Sequence, residues 1–93
     1  MYYRITSYGF DAARRDEFIE FADTLRDELN EISGLELIHT CETGEGEGMI
    51  VARYDSEASA AAAQPHIQSI LGRMATFLTS SPEIQAGDVI WEM

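Results

Sequence analysis

Two histidines are the side chains of this sequence that could act as an acid and base pair near neutral pH. His39 lies in an alternating stretch (35–42), on the face that also carries Leu37 and Cys41. His66 lies at the edge of an apolar helical stripe. We predict catalytic roles for both. The alternatives are a core histidine bonded to a neighbour for His39 and a solvent-facing residue for His66.

Four further side chains are predicted to bind a substrate. Arg53 and Tyr54 end a strand, and an arginine there could hold a carboxylate or an enolate. Tyr3 and Trp91 could stack on an aromatic ring. The alternatives are an arginine paired with an acid at a dimer rim and aromatic side chains that only pack the sheet.

Other reactive groups do not form a recognisable site. Cys41 is the only cysteine, which excludes an internal disulfide and a cysteine-based metal site. A metal site joining His39 to Glu36 or Glu42 is disfavoured, because residues an odd number of positions apart on a strand point to opposite faces. The glycines of 44–48 join two strands, with two glutamates and no lysine, which indicates a turn and not a phosphate loop.

Charge and hydropathy narrow the class of partner. Six Lys and Arg residues face 17 Asp and Glu, for a net charge of −11. Nucleic acids and anionic lipids require clustered positive charge, so we expect neither nucleic acid nor a membrane as a partner.

The N-terminal residues pass into a strand pattern without the apolar region of a signal peptide, and the single cysteine suits a reducing compartment. We expect a cytoplasmic protein.

The first half of the chain reads as strand, helix and hairpin. Residues 2–8 are rich in aromatic and β-branched types, and Gly9 closes them. Apolar residues then recur at three- and four-residue steps over 14–33, which predicts one amphipathic helix with Asp11 as its N-cap. Two strands follow, 35–42 and 49–54, joined by the glycine-interrupted turn. The first of them should carry four residues on one face: Leu35, Leu37, His39 and Cys41.

The second half reads as a helix and a strand. Ser56 offers an N-cap to an alanine-rich helix, and Pro65 predicts a kink or a break in it. A further apolar stripe runs to the Ser-Ser-Pro sequence at 80–82. The closing residues 88–93 (DVIWEM) are predicted to form the last strand.

This order predicts one α+β domain over 1–93, a ferredoxin-like βαββαβ fold with a four-stranded antiparallel sheet. Both helices must cover one face of the sheet, yet both faces carry apolar residues. A short chain without disulfides often gains stability by association. We therefore predict a homodimer in which a second copy covers the other face.

Three motifs resemble those of antibiotic biosynthesis monooxygenase-like domains: TGEGEG at 43–48, VARYDSEASAAAA at 51–63 and GDVIWEM at 87–93. The resemblance spans nearly the whole chain and implies a dimeric α+β barrel with a cavity between sheet and helices. Some relatives oxidise phenolic polyketides with oxygen and no added cofactor. Others open haem, isomerise lactones or serve as regulatory ligand-binding modules.

The catalytic residues of these relatives do not carry over. The polyketide-oxidising relatives combine Asn, Trp, Tyr and Arg in the cavity, and the haem-opening ones use Asn on the first strand with Trp and a helix His. Here the first strand offers Arg4, Thr6 and Ser7, the only Asn is Asn30, and the only Trp is Trp91 on the last strand.

Three functions follow as hypotheses, of which the third is a purely structural dimer. The first is a cofactor-independent monooxygenase-like enzyme acting on a small phenolic or quinone-type molecule. The second is a non-catalytic dimeric domain that binds or senses a small aromatic ligand.

Overall fold

The computed structural model describes all of residues 1–93 as one antiparallel sheet with helices on one of its faces. The strands follow the order β2-β3-β1-β4. This arrangement confirms the predicted ferredoxin-like α+β fold. In chain order the elements are β1 Tyr2–Gly9, α1 Arg15–Thr24, α2 Arg26–Asn30, β2 Leu35–Gly44, β3 Glu47–Tyr54, α3 Glu57–Met74 and β4 Glu83–Asp88, with 3-10 turns at Ala12–Arg14 and Ala75–Phe77.

The helix predicted over 14–33 is divided in two at Leu25. The Thr24 hydroxyl donates to the Phe21 carbonyl at 2.6 Å. The Leu25 N–H therefore bonds the Ala22 carbonyl one position later, at 3.0 Å, which tightens the turn. Asp11 caps the 3-10 turn Ala12–Arg14 and not α1 itself: its carboxylate accepts from the Ala13 N–H at 3.0 Å, whereas Arg14 at the N-cap of α1 makes no side-chain capping bond.

The alanine-rich helix α3 runs unbroken through Pro65, so of the predicted kink or break the break does not occur. Pro65 lies on the solvent side of the helix, as does Ala61, whose carbonyl loses its N–H partner. Water can satisfy that carbonyl, which reduces the cost of the proline. The Ser56 cap is confirmed, since its hydroxyl accepts from the Ser59 N–H at 3.1 Å.

A bulge in β2 places Leu35 on a different face from the one predicted. Leu35 pairs with Tyr54 and Leu37 with Arg53, so two steps along β2 match one along β3. The extra residue, Glu36, moves Leu35 to the helix-covered face, where it packs against a core cluster. Leu37, His39 and Cys41 keep their shared face.

The last strand lies earlier than predicted. β4 spans Glu83–Asp88, and 89–93 have no regular structure. Asp88 pairs with Tyr2, the first residue of β1, so the pairing of β4 with β1 ends there. Val89 still donates to the Met1 carbonyl at 2.9 Å, but Trp91 has no strand to pair with and is 77% exposed.

The two faces of the sheet have different environments. On β1 the side chains of Arg4, Thr6 and Tyr8 are buried beneath the helices, whereas Tyr3 and Ile5 lie on the open face and are half-buried. Two apolar clusters fill the space between sheet and helices. The first contains Tyr8, Phe10, Phe18, Leu25, Ile70, Met74 and Phe77, and the second contains Ile32, Ala52, Tyr54, Ala60 and Ala63.

Glu28 on α2 joins this helix to α3. Arg73 on α3 donates to both of its carboxylate oxygens, at 2.7 and 2.8 Å, and the His66 Nε2 lies 2.7 Å from one of them. The hydrogen bond from Arg73, and after it that from His66, lowers the pKa of the Glu28 carboxyl.

Glycine in the hairpin also positions a core residue. Gly46 takes the positive φ of 73° that the turn requires. Gly48 lies opposite Tyr8 on β1, and a Cβ at Gly48 would overlap the Tyr8 ring. Gly48 therefore allows the Tyr8 hydroxyl to reach the Thr40 hydroxyl, 2.5 Å away.

We expect Gly48→Ala to lower the free energy of unfolding by about 1–3 kcal/mol, because the buried Tyr8 ring must shift. The matched control is Gly87→Ala in β4, where an added Cβ meets nothing within 4 Å. That change should stay within about 0.5 kcal/mol of wild type. Urea unfolding followed by circular dichroism measures both, and equal losses in the two variants would contradict this account of Gly48.

Glu28 should stabilise the fold in a pH-dependent way. A carboxyl whose pKa is lower in the folded than in the unfolded state stabilises above its unfolded pKa, and loses that effect as the pH falls through its folded pKa. Wild type should therefore be more stable than Glu28→Gln at about pH 5, and the difference should vanish in stronger acid. Urea titrations between these limits test this expectation, with the exposed and unpaired Glu20→Gln as a control that should show no such trend.

Candidate functional site

A cavity of about 100 Å³ lies between the sheet and the helices. Its walls join the two core clusters, with Phe18 and Leu25 on one side and Ala52 on the other. Twelve of its 15 lining residues are hydrophobic. The non-hydrophobic ones, Arg4 and two threonines, all project from strands. This combination of apolar walls and a few placed polar groups is typical of a small-molecule site.

Arg4 is the one charged side chain on the cavity wall. It is 8% exposed, in the middle of the helix-covered face of β1. Its Nη1 donates to the Tyr54 hydroxyl at 3.3 Å, and its Nη2 donates to the Ala60 carbonyl of α3 at 3.2 Å. The guanidinium also lies 5.4 Å from the centre of the Tyr54 ring. Arg4 therefore links the sheet to α3 across the end of the cavity.

Tyr54 supplies a neutral hydroxyl beside this charge. Its side chain is fully buried. Burial raises the pKa of Tyr54, and the positive charge of Arg4 opposes that rise only in part. The hydroxyl accepts a hydrogen bond from Arg4 and keeps its own proton, so it can donate to a bound oxygen atom.

A second hydroxyl pair lies further along the same face. The Tyr8 and Thr40 hydroxyls are 2.5 Å apart, and Thr40 lines the cavity together with Thr6. Burial raises the pKa of Tyr8, although the bond to Thr40 works in the opposite direction. Tyr8 and Tyr54 therefore both carry their protons at neutral pH.

The two predicted catalytic histidines do not come together. His39 lies on the open face of the sheet, opposite Val51 on β3. His66 lies on the other side of the sheet, outside the cavity wall, in contact with Glu28. Their catalytic roles stay a prediction, but the two rings cannot act as a pair within one chain.

Of the four predicted substrate-binding residues, Tyr54 alone lines the cavity. Arg53 and Tyr3 lie side by side on the open face, and Arg53 donates to Glu36 at 2.9 Å. Trp91 lies beyond β4 and is exposed. Tyr54 faces the cavity because the alternation of β3 turns it away from Arg53.

Arg4 and Thr6 were recognisable as polar residues of β1, but their place in a site was not. The signal was the parity of β1, since Arg4, Thr6 and Tyr8 share one side of the strand. Thr40 shares its side of β2 with Ile38 in the same way. Alternation along a strand shows which residues share a face. Only the positions of the helices show which face encloses a cavity.

No group of three or more His, Cys, Asp or Glu side chains comes together in a way that could hold a metal ion. No helix has the length and apolar character needed to cross a membrane.

Comparisons with known proteins identify the fold. No family model matches the sequence, and no curated protein matches it. Several solved structures match with TM-scores near 0.8. A monooxygenase from the gene ActVA-Orf6 of Streptomyces coelicolor, in complex with the ligand nanaomycin D, has a TM-score of 0.80 and 14% identity over 99% of this chain and 89% of its own.

Two further structures show the same likeness. An antibiotic biosynthesis monooxygenase has a TM-score of 0.74 and 10% identity, covering 97% of this chain and 99% of its own. The protein NE2512 of unknown function from Nitrosomonas europaea has a TM-score of 0.78 and 15% identity, covering 99% and 91%. At these identities the likeness concerns the fold. The chain therefore has the fold of antibiotic biosynthesis monooxygenase-like proteins, as its hairpin and strand motifs suggested.

Proposed function

We propose that this chain is a cofactor-independent monooxygenase-like enzyme that oxidises a small phenolic or quinone-type molecule in the cavity. The observation that carries the proposal is the Arg4–Tyr54 pair at the end of an apolar cavity. The fold shared with a monooxygenase that binds nanaomycin D supports it by analogy.

The cavity offers the two effects that oxidation of a phenol by oxygen requires. The positive charge of Arg4 stabilises a phenolate over the phenol, and the electron-rich phenolate is the form that reacts with oxygen. The Tyr54 hydroxyl can donate to the same oxygen atom. Apolar walls exclude water, which strengthens both interactions.

The proposed reaction balances without an added reductant. A phenol with a free para C–H reacts with one O₂ and yields a para-quinone and one water. One oxygen atom bonds to the para carbon. The other leaves as water with the para hydrogen and the phenolic hydrogen, so the substrate supplies all four electrons.

The size of the cavity limits the substrate. An apolar cavity of ~150 Å³ holds a benzene ring. This cavity is about 100 Å³, so even one ring requires the wall to shift. The half-buried Ile38, Ile67 and Leu71 can provide that shift. A single-ring phenol is the substrate size that the cavity favours.

The test is oxygen uptake with electron-rich phenols that have a free para position. We expect one O₂ consumed per quinone formed, without hydrogen peroxide. Arg4→Gln should lower the rate by about 10²-fold, in the range seen for the loss of one oxyanion-stabilising donor. Arg26→Gln is the matched control, because Arg26 is an exposed arginine of α2 outside the cavity wall, and it should leave the rate unchanged.

Absence of uptake above background across the panel would contradict the enzymatic proposal. Release of hydrogen peroxide in place of water would indicate an oxidase and not a monooxygenase. Equal losses in the two arginine variants would remove Arg4 from the mechanism.

The alternative is a non-catalytic domain that binds or senses a small aromatic molecule. One observation favours it, namely that the cavity lacks the Asn and Trp of the oxidising and haem-opening relatives, since Trp91 lies outside and Asn30 is exposed. This alternative predicts a ligand-dependent rise in melting temperature without turnover.

We also propose that the chain works as a homodimer joined through the open face of its sheet. Tyr3, Ile5, Leu37, Met49 and Val51 lie on that face, half-buried and without any helix over them. A second copy is the simplest cover for such a face. In this dimer His39 and Arg53 lie in or beside the interface.

Native mass spectrometry should show twice the 10.4 kDa chain mass at micromolar concentration. Val51 lies between Ile5 and His39 on the neighbouring strands, so Val51→Asp would bury a carboxylate in the interface and should give a monomer. Gln68→Asp on the exposed side of α3 is the control and should remain dimeric. A monomeric wild type, or a dimeric Val51→Asp variant, would contradict this mode of association.

A further inference from the structure

The arginines of this chain fall into two groups. All six basic residues are arginines, and the chain has 17 acidic residues. Five arginines form an ion pair with a carboxylate: Arg14 with Glu17, Arg15 with Glu42, Arg26 with Asp23, Arg53 with Glu36 and Arg73 with Glu28, at 2.7–3.1 Å. Arg4 is the buried one, and no carboxylate lies within 4.0 Å of it. Arg4, the most buried of the six arginines, is therefore the one that lacks a counter-ion.

This absence has an energetic consequence. A buried charge is costly unless it is paired, and most side chains respond by losing the charge. Arginine keeps its charge in proteins, so Arg4 cannot respond in that way. Its bonded partners are neutral, and they use two of its five N–H groups. The site therefore holds a permanent positive charge with donors to spare.

The surroundings define what could neutralise this charge. Arg4 is the only charged residue that lines the cavity, so the cavity balances one negative charge and not two. Tyr54 stands beside it with a proton to donate. The remaining wall is apolar and suits a ring.

We infer that the cavity selects a single-ring aromatic monoanion, whose carboxylate or phenolate oxygen pairs with Arg4 and accepts a hydrogen bond from Tyr54. The inference rests on the proposed function only in placing the ligand in the same cavity. A planar guanidinium binds a carboxylate through two parallel hydrogen bonds, whereas a phenolate offers one oxygen atom. A dianion, or a neutral ring of the same shape, leaves one charge unbalanced.

The probes are 2-hydroxybenzoate and its neutral amide, 2-hydroxybenzamide, which have nearly the same shape. Binding is measured by calorimetry without oxygen, so that turnover plays no part. Wild type should bind the negatively charged 2-hydroxybenzoate (the acid) at least about tenfold more tightly than the neutral amide, as expected for a charge-assisted pair. In a second arm, 4-nitrophenol is titrated below and above its own pKa. Tighter binding of the ionised form alone identifies a phenolate site, and acid preference alone identifies a carboxylate site.

Arg4→Gln should remove the preference, leaving acid and amide within about twofold of each other. Arg26→Gln should keep it, since that arginine is exposed, lies outside the cavity wall and already pairs with Asp23. If Arg4→Gln does not fold, Arg4→Lys, which keeps the charge but not the fork, should reduce the preference for the carboxylate.

Equal binding of acid and amide by wild type, together with equal binding of both forms of nitrophenol, would overturn the inference. So would the absence of binding by any probe at millimolar concentration, or a preference that survives Arg4→Gln. The outcomes are separable from the proposed function. A preference for the monoanion without oxygen uptake would contradict the enzymatic proposal and support the anion site. Oxygen uptake with neutral phenols and no charge preference would support the enzyme and contradict the anion site.

Discussion

The placement of Arg4 determines how the rest of this interior is built. A guanidinium at the centre of a strand beneath a helix cannot pack like a leucine, because its N–H groups need acceptors. The chain supplies them from Tyr54 on the neighbouring strand and from the Ala60 carbonyl on α3. The apolar residues consequently gather into two clusters, and the cavity lies where those clusters meet.

Small side chains make this arrangement possible. Ala60 is almost completely buried and brings the backbone of α3 within hydrogen-bond distance of Arg4. Ala52 is the register partner of Arg4 on the neighbouring strand β3, and its small side chain leaves space beside the arginine. A larger residue at either position would push the helix away or fill the cavity. The alanine-rich composition of α3, which by itself indicates only helix propensity, thus acquires a steric role.

The sequence predicted the elements well where one periodicity acts alone. β1 and the Ser56 N-cap agree with prediction, because alternation and capping are local. The misplaced elements depend on a partner strand. The bulge at Glu36 is visible only in the register with β3, and the end of β4 at Asp88 is visible only in its pairing with Tyr2, where β1 begins.

The candidate site was harder to predict for a related reason. His39 and Arg53 carry the side chains most often used in chemistry, yet the parity of their strands places them on the open face. Arg4 looked like one polar residue among several on β1. What distinguishes it is the absence of a nearby carboxylate, and this is a property of the whole fold that no spacing along the chain reveals.

Alternation along β3 links the cavity to the open face. Tyr54 and Ala52 point toward the cavity, while Arg53 and Val51 between them point to the opposite side. A cover on the open face would restrain the same backbone that carries Tyr54 to Arg4. Since a hydrogen bond of 3.3 Å tightens or breaks with small backbone shifts, the geometry of the cavity depends on what packs behind it. A second copy on that face would therefore hold the Arg4–Tyr54 pair in place without contributing an atom to the cavity.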